Sequence, residues 1–563
     1  MKKKLEKIIE KAVFELFGLE QVDFAVEYPK DEKFGDYATN VALVLAKKVG
    51  KSPMEIADQI VKLLGGQIVE IAKIEVAMPG YVNFYLSEKF LQDKVVEINT
   101  KKDNFGALEK RGRKMMVEYS QPNTHKEFHI GHLRNVFLGS ALVNVLRKGG
   151  QDVIAANYIG DTGTHIAKCL WGITKFHGTE NLDAIDNKAE FLGKVYSEAV
   201  KSIGENPEYE IEFKELQKEF EQGDKKLTEL WEKTKQWSME EFQEIYDELG
   251  VKFDIYFWES EEEQAGKKML PKLLKEDFIK ESQEAIIADL EQYGLGVLVL
   301  VRKDGSALYG LKDIPLAIKK FKDYEIDKSV IVVDIRQGLY FKQIFKILEL
   351  MGFKKDMQHI GYEFVSLKGS ETMSSRKGNI IPAKFLMEKI IEKVDEKFPG
   401  TDMGKEIGLG ALKFYMLKYS AQNKIEFDMD EAIRLDGATG PYVQYAHARI
   451  CSILRKTKNG DKQQTTNDIN LPLLVHEKEL SLIRELNKFP ELVEELAQSY
   501  EVHKLPYYAI KLADKFHSFY NACKVIDEEN LDLTKARISL ITAVRIVLAE
   551  TLDLIGVSAP EKM

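Results

Sequence analysis

Residues 120–135 read SQPNTHKEFHIGHLRN, and this stretch determines the fold class that the sequence predicts. The run before it, Met115 to Tyr119, is apolar and ends at a Gln-Pro-Asn turn, so it predicts a strand. The run after it, Leu133 to Lys148, is apolar on most of its sides and predicts a helix packed on a sheet. Gly149 and Gly150 end that helix. A strand, a turn and a buried helix in this order indicate an α/β unit.

Four residues inside this stretch, His129, Ile130, Gly131 and His132, spell HIGH at the start of the predicted helix. Two imidazoles three residues apart share one helical face, where free N–H groups and the helix dipole attract anions. The pattern therefore predicts a phosphate site. The alternatives are a metal pair or a pair of core histidines. A metal pair on a helix favours i,i+4 spacing and a further ligand.

A second signature, ETMSSRKGNI, covers residues 371–380. Ser374, Ser375, Arg376 and Lys377 supply hydroxyl and cationic donors on a loop that can close over a triphosphate. Alone, such a run is also common in solvated turns. Together the two signatures resemble the HIGH and KMSKS motifs of the class I aminoacyl-tRNA synthetases. The resemblance implies a Rossmann-like parallel sheet and ATP, with Mg²⁺, as a substrate.

Composition limits the other classes of protein. The chain has 563 residues, 44% of them hydrophobic, and a net charge of -10, which excludes a simple polybasic nucleic-acid binder. Cys169, Cys451 and Cys523 are too far apart for a disulfide framework or a zinc site, so we expect a reducing compartment. The sequence shows no secretory core and no apolar run of about 18 residues. We therefore expect a soluble, cytoplasmic protein.

The chain divides into four predicted blocks. Apolar strand runs that alternate with helices indicate a parallel sheet in the second block, where we include the strand–helix units 152–163, 296–313 and 328–345. The blocks are an N-terminal α+β domain (1–110), an α/β catalytic core (111–380) with a helical insertion at about 171–250, a helical connector (381–430) and a C-terminal all-α bundle (431–563).

Five longer runs are similar to the arginyl-tRNA synthetase family. They are VEYSQPNTHKEFHIGHLRN, NYIGDTGTHIA, RKDGSALYGLKDI, MSSRKGN and GPYVQYAHARI, in the family's order, with GDYATNVAL near the start and GVSAPEKM at the end. The resemblance implies ligation of L-arginine to tRNA(Arg) through an arginyl-adenylate. We expect a monomer that acts without a tightly bound metal or prosthetic group and without membrane or DNA contacts. The rival functions are a glutamyl, cysteinyl or lysyl class I enzyme and a non-catalytic tRNA-binding paralogue.

Arginine needs acids, because a planar, permanently charged guanidinium is best held by carboxylates. Tyr309 and Asp313 are four residues apart on a predicted helix start and share a face. The resemblance implies that these two grip the guanidinium. Glu118 ends the first strand and is a second candidate acid, and Glu259 is a third. The alternative is that these acids cap helices, pair with lysines or are solvated.

The α-amino group of arginine needs neutral acceptors. The resemblance assigns Asn123 and Gln337 to this role, although an Asn after Pro is also a common turn residue. His165 lies where the family often carries Gln, and we keep it as a candidate arginine contact. Tyr340 lies where the family often carries His.

The resemblance assigns ATP to both signatures. His129 and His132 contact the phosphates, and Gly131 leaves room for the nucleotide against the backbone. Met373 and Lys377 complete the ATP-binding candidates.

The second signature departs from KMSKS at both lysines, since Thr372 and Ser375 stand in their places. Many family members share this departure, and a lysine just before HIGH is thought to substitute. Lys126 fits that role, and Arg376 and Lys377 are the alternatives.

The resemblance assigns the first block to the tRNA elbow and the last block to the anticodon. Aromatic and cationic side chains suit stacking on unpaired bases, although aromatics at helical spacing are equally typical of a core. The candidates are Tyr442, Tyr445, His447 and Arg449 in the last block, and Asp36, Tyr37 and Asn40, which can also cap and pack a helix, in the first.

Overall fold

The computed structural model describes residues 1–369, 381–400, 402–457 and 469–563. The second signature lies outside these ranges. The expectations for Met373, Ser374, Ser375, Arg376 and Lys377 therefore fall outside the described residues.

The first block pairs a small antiparallel sheet with four helices, as the sequence predicts. Its four strands have the order β1-β2-β4-β3. In the third helix, Ser52 and Glu55 cap the start reciprocally and Pro53 takes the first position, which satisfies the free N–H groups locally. The elements are α1 (Lys2–Phe17), β1 (Val26–Glu27), β2 (Tyr37–Thr39), α2 (Val41–Val49), α3 (Pro53–Leu64), β3 (Ile71–Ala77), β4 (Tyr81–Leu86) and α4 (Glu88–Lys101).

The second block contains the central sheet and the helical insertion. Helices α7, α8 and α9 form most of the predicted insertion. The elements are β5 (Lys114–Glu118), α5 (Ile130–Lys148), β6 (Asp152–Ile159), α6 (Thr164–Phe176), α7 (Lys188–Glu205), α8 (Pro207–Glu221), α9 (Lys225–Leu249), β7 (Ile255–Trp258), α10 (Glu259–Leu273), β8 (Ile279–Ser282), β9 (Ala285–Asp289), β10 (Val297–Val301), α11 (Tyr309–Asp323), β11 (Lys328–Asp334), α12 (Gly338–Leu350), β12 (Asp356–Tyr362) and β13 (Val365–Leu367).

The central sheet is parallel and has five strands in the order β12-β11-β5-β6-β7. This confirms the predicted parallel sheet. The chain runs outward from β5 through β6 to β7 and then returns to the other side of β5 at β11. The order therefore reverses between β5 and β11, and a crevice is expected beyond the carboxyl ends of these two strands.

One predicted strand does not join this sheet. Strand β10 lies in a separate antiparallel sheet with the order β10-β9-β8, so placing the unit 296–313 in the parallel sheet was wrong. The physical reason is burial: Val297 is 44% exposed and Val299 36% exposed. A strand inside a parallel α/β sheet is covered on both faces, and this one is covered on one.

The last two blocks are helical with one exception. Strand β14 in the predicted helical connector pairs in parallel with β13, which corrects the purely helical expectation. After residue 430 the described residues form helices and turns. The elements are α13 (Ala383–Lys397), α14 (Gly404–Leu417), β14 (Ile425–Phe427), α15 (Met429–Ala432), α16 (Gly440–Lys456), α17 (Glu477–Asn487), α18 (Phe489–Ser499), α19 (Lys504–Ala522) and α20 (Leu531–Leu554).

Two sequence expectations about the whole chain are also tested by the structure. The three cysteines are free and buried, which confirms that they form no disulfide framework. Among the described residues, no helix combines the length and the apolar character that crossing a bilayer requires.

Candidate active site

The HIGH residues form a reciprocal cap at the start of α5. His129 is the N-cap residue, and its Nδ1 accepts a hydrogen bond from the Gly131 N–H at 3.1 Å. The Nδ1 of His132 accepts from the His129 N–H at 3.2 Å, and the two rings stack with centroids 3.8 Å apart. Because both Nδ1 atoms are acceptors, each neutral ring carries its proton on Nε2.

Burial keeps both imidazoles neutral. It lowers the pKa of His129 to about 4 and the pKa of His132 well below its usual value. The two side chains are therefore hydrogen-bond donors through Nε2–H rather than cations. Among the described residues, no group of three or more His, Cys, Asp or Glu side chains has the geometry to hold a metal ion.

A cavity of about 620 Å³ opens beyond the carboxyl ends of β5 and β11, where the strand order reverses. It brings together both HIGH histidines and most of the candidate arginine contacts. The sequence candidates that line it are Glu118, Asn123, His129, Gly131, His132, Glu259, Tyr309, Asp313 and Gln337. Lys126 and His165 do not line it.

Asp313 is the carboxylate in this cavity that most clearly needs a ligand. The Tyr340 hydroxyl donates to its Oδ2 at 2.5 Å, whereas its Oδ1 is buried without a hydrogen-bond partner among the described residues. Burial, together with the nearby Glu118 carboxylate, raises the pKa of Asp313 to about 7. Tyr309, one turn earlier on α11, has 58% of its surface exposed at the edge of the cavity.

The other two candidate acids already have lysine partners. Lys320 pairs with Glu118 at 2.5 Å, and both side chains are only 3% exposed. Lys312 pairs with Glu259 at 2.8 Å. The structure thus favours the lysine-paired alternative for Glu118. Glu259 is buried, so the alternative that it is solvated was wrong, and its arginine contact stays a prediction. Asp313 and Lys320 are seven residues apart on α11, so their shared helical face was detectable in the sequence, although the pairing of Lys320 with Glu118 was not.

The candidate neutral acceptors have different surroundings. Asn123 forms a parallel bridge with Gly160. A Cβ on Gly160 would lie 2.3 Å from Asn123 Oδ1, so only glycine fits beneath this carboxamide. Gln337 is exposed at the start of α12. The Nε2 of His165 is buried without a partner in the described residues, and burial lowers the pKa of His165 to about 3.

The segment that follows the second signature is hydrogen-bonded to the first. The Ile130 N–H donates to the Ile381 carbonyl at 3.1 Å, and the Ala383 N–H donates to the Phe128 carbonyl at 2.7 Å. Lys126 lies two residues before Phe128 in the sequence and has no ion pair within the described ranges. Burial lowers its pKa, whereas the Glu259 carboxylate raises it.

The N-terminal tRNA candidates make contacts inside the protein. Tyr37 is buried and donates to Glu491 Oε1 at 3.0 Å, so expecting it to read a base was wrong for this structure. Asp36 pairs with Arg484 at 3.1 Å. Asn40 precedes α2 and accepts from the Ala25 N–H at 2.9 Å. Asp36 and Tyr37 thus tie the first block to the last, whereas the Asn40 contact lies within the first block.

The C-terminal candidates lie along α16. His447 is buried and donates to the Pro560 carbonyl at 2.8 Å, as a core histidine does. Tyr442, Tyr445 and Arg449 are half-buried. The Arg449 guanidinium lies 4.5 Å from the ring centroid of Tyr520.

Sequence reasoning missed three residues that face the cavity. Tyr340 was noted only as a departure from the family, yet it is the partner of Asp313. Lys320 was not considered. Tyr158, near the end of β6, has a buried hydroxyl without a partner among the described residues. The available signal was its position near the carboxyl end of a sheet strand.

Family models match three parts of the chain. Residues 94–428 match the family described as tRNA synthetases class I (R), catalytic domain. Residues 1–86 match the arginyl tRNA synthetase N terminal domain, and residues 443–563 match the DALR anticodon binding domain.

Full-length relatives and a solved structure cover almost the whole chain. The arginine–tRNA ligase of Bdellovibrio bacteriovorus is 35% identical over 96% of this chain and 94% of its own length. That of Clostridioides difficile is 32% identical over 97% of this chain and 96% of its own. The Thermus thermophilus arginyl-tRNA synthetase structure superposes over 100% of both chains with a TM-score of 0.84 and 27% identity. The chain therefore belongs to the arginine–tRNA ligase family of the class I aminoacyl-tRNA synthetases.

Proposed function

We propose that the chain activates L-arginine with ATP in the cavity between β5 and β11 and transfers it to tRNA(Arg). The observation that carries this proposal is the position of Asp313. Its buried, unpartnered Oδ1 and the neutral HIGH histidines open on the same cavity. A cation with several N–H donors satisfies the first group, and a polyphosphate satisfies the second.

At the arginine end, Asp313 binds the guanidinium, and the ring of Tyr309 borders it. Asn123 and Gln337 accept hydrogen bonds from the α-amino group. Glu118 and Glu259 stay paired with Lys320 and Lys312 when arginine binds. Their charges are thereby neutralised, and Asp313 is the acid available to the guanidinium.

At the ATP end, the Nε2–H groups of His129 and His132 donate to the phosphates, and Mg²⁺ enters with ATP as part of the substrate. The arginine carboxylate attacks the α-phosphorus in line and expels pyrophosphate, so no covalent enzyme intermediate is required. Catalysis then depends on positioning and charge neutralisation.

Because the histidines are neutral, a cation must come from elsewhere. Lys126, three residues before the cap, supplies it, and Arg376 and Lys377 are the competing residues in the segment outside the described ranges. The terminal adenosine of the tRNA then attacks the adenylate carbonyl through its 2′- or 3′-hydroxyl. We expect the enzyme to work in the cytoplasm as a monomer.

Pyrophosphate exchange tests this function. The full chain is assayed with and without tRNA(Arg) against arginine, lysine, glutamate and citrulline. Citrulline is the sharpest control, because it has nearly the shape of arginine but no charge. We expect exchange that depends on tRNA and favours arginine over citrulline by more than 100-fold, since a neutral analogue leaves Asp313 uncompensated. Equal rates with both amino acids would overturn the proposal.

A further inference from the structure

The segment between β5 and α5 has a backbone that its own sequence does not favour. Ser120, Gln121 and His125 have positive φ values of 76°, 51° and 60°. A Cβ makes this left-handed region unfavourable, so such residues persist only where the surroundings over-determine them. The same segment carries Asn123 and Lys126.

The long insertion helix α9 faces this segment with one ridge. Thr234, Ser238, Phe242 and Tyr246 follow each other at intervals of four residues and therefore share one inclined row on the helix. All four are buried.

The first half of the ridge holds His125 on two sides. Ser238 Oγ accepts from the His125 backbone N–H at 2.9 Å. Thr234 Oγ1 lies 2.7 Å from His125 Nε2 and donates its own proton to the Leu230 carbonyl at 2.8 Å. Thr124 Oγ1 lies 3.0 Å from His125 Nδ1, so each ring nitrogen of His125 has a hydroxyl partner. Both the backbone and the ring orientation of His125 are thereby fixed.

The second half of the ridge holds the start and the end of the segment. The Tyr246 hydroxyl lies 2.7 Å from Ser120 Oγ and accepts from Asn157 Nδ2 at 3.0 Å. Asn157 Oδ1 in turn accepts from the Gln121 N–H at 3.1 Å. The rings of Phe242 and Tyr246 pack on Phe128, with centroid distances of 5.6 Å and 5.9 Å.

We propose that helix α9 is a template for residues 120–128, and that Thr234, Ser238 and Tyr246 are positioning residues for Asn123 and Lys126. None of these three α9 side chains lines the cavity, so they act through the segment and not on the substrate. The helical insertion thus has a role in arginine activation beyond covering the sheet. This inference rests on the roles proposed above for Asn123 and Lys126.

Matched substitutions on one helix test the template. Thr234→Val keeps the shape and removes the hydroxyl that bonds to His125. Thr228→Val removes a hydroxyl whose hydrogen bond, within the described residues, goes to the carbonyl of the N-cap residue Asp224 at 2.7 Å. In tRNA-dependent pyrophosphate exchange we expect Thr234→Val to lower kcat/KM for arginine by about 10- to 100-fold, the effect of a displacement of about 1 Å. Thr228→Val should stay within threefold of the parent, and Thr234→Ser should restore the rate.

Assays are run well below each variant's unfolding midpoint, measured by circular dichroism, so that a stability loss alone does not change kcat/KM. If Thr234→Val and Thr228→Val behave alike, or if Thr234→Ser is as impaired as Thr234→Val, the template is rejected.

Two further measurements keep the test decisive. If Thr234→Val does not fold, Ser238→Ala and Tyr246→Phe replace it. Tyr256→Phe is the control, because in the described part of the chain the Tyr256 hydroxyl donates to exposed Gln243, at 3.5 Å. A loss of more than threefold relative to the control in either variant supports the template, and smaller losses in both reject it. Asn123→Ala is assayed beside them. An unchanged KM for arginine in that variant rejects the proposed role of Asn123, independently of the template.

Discussion

The two HIGH side chains that face the cavity from the start of α5 are neutral, whereas α11 contributes an acid, Asp313, and a lysine, Lys320. At the first end, burial and reciprocal capping hold His129 and His132 as uncharged donors. At the second end, Lys312 and Lys320 compensate two acids, and Asp313 keeps one oxygen without a partner.

This difference indicates which end of the cavity selects the amino acid and which end needs an added cation for catalysis. A neutral donor can bind any suitably placed acceptor, so the phosphate end contributes hydrogen bonds rather than charge discrimination. An uncompensated buried acid tolerates only a cation, so the arginine end discriminates by charge. The cation for the reacting phosphate must then come from a residue such as Lys126.

The largest expected effect comes from removing the charge of Asp313. Asp313→Asn should lower kcat/KM for arginine roughly 150- to 5,000-fold, because a buried guanidinium then lacks its counter-charge. This factor corresponds to a free-energy loss of about 3–5 kcal/mol. The preference for arginine over citrulline should shrink while KM for ATP stays within threefold. Steady-state exchange kinetics measure both quantities. Asp289→Asn, which removes a carboxylate from the separate antiparallel sheet, is the control. A retained arginine preference would contradict the comparison.

The next-largest effect tests whether Lys126 supplies the positive charge that the neutral HIGH histidines lack. Lys126→Ala should lower the exchange rate at saturating substrates by about 3–4 kcal/mol, or 100- to 1,000-fold, with KM for arginine changed less than threefold. Lys405→Ala, which removes an exposed lysine on α14, serves as the matched variant. A change below threefold in rate would remove Lys126 from the mechanism and point to Arg376 or Lys377.

The pH dependence of KM for arginine further distinguishes Asp313 from the HIGH histidines. Since the pKa of Asp313 is about 7, its carboxyl is protonated at lower pH and cannot pair with the guanidinium. KM for arginine should therefore rise about tenfold per pH unit below 7 and level off above 8. The pKa of His129 is about 4, so its ring stays neutral throughout this range. A KM profile from pH 5.5 to 8.5 checks this, and Asp313→Asn should flatten it.

The smallest expected effect tests the placement of Asn123, the proposed acceptor for the α-amino group. Gly160→Ala would place a Cβ 2.3 Å from Asn123 Oδ1 and displace that carboxamide, so we expect about a tenfold higher KM for arginine. Gly204→Ala on α7, which meets no atom within 4 Å, is the comparison variant. Identical KM values for the two variants would show that the placement of Asn123 does not matter.

Sequence reasoning succeeded where the physics is local. The start of a helix at the HIGH residues depends on groups within a few residues. The buried strand ending at Glu118 and the shared face of Tyr309 and Asp313 follow from periodicity in short windows. It failed for β10, because five apolar residues do not reveal whether one face or two are covered.

The charge state of each acid was beyond the sequence. Lys320 and Glu118 are about 200 positions apart, and Tyr340 reaches Asp313 from another helix. The sequence left Tyr37 as a candidate RNA contact, whereas in the structure its hydroxyl donates to Glu491, 454 positions away.

By itself, the sequence determined that this chain builds a parallel α/β core with two histidines at the start of a buried helix and which residues are candidates for arginine and ATP. Only the tertiary structure decided that, among the described residues, Asp313 Oδ1 has neither a hydrogen bond nor an ion pair. It also decided which tautomers His129 and His132 hold and which helix supports the strained segment before α5. The reason is that capping and periodicity act within a few residues, whereas desolvation and ion pairing depend on groups that only the folded chain brings within about 3 Å.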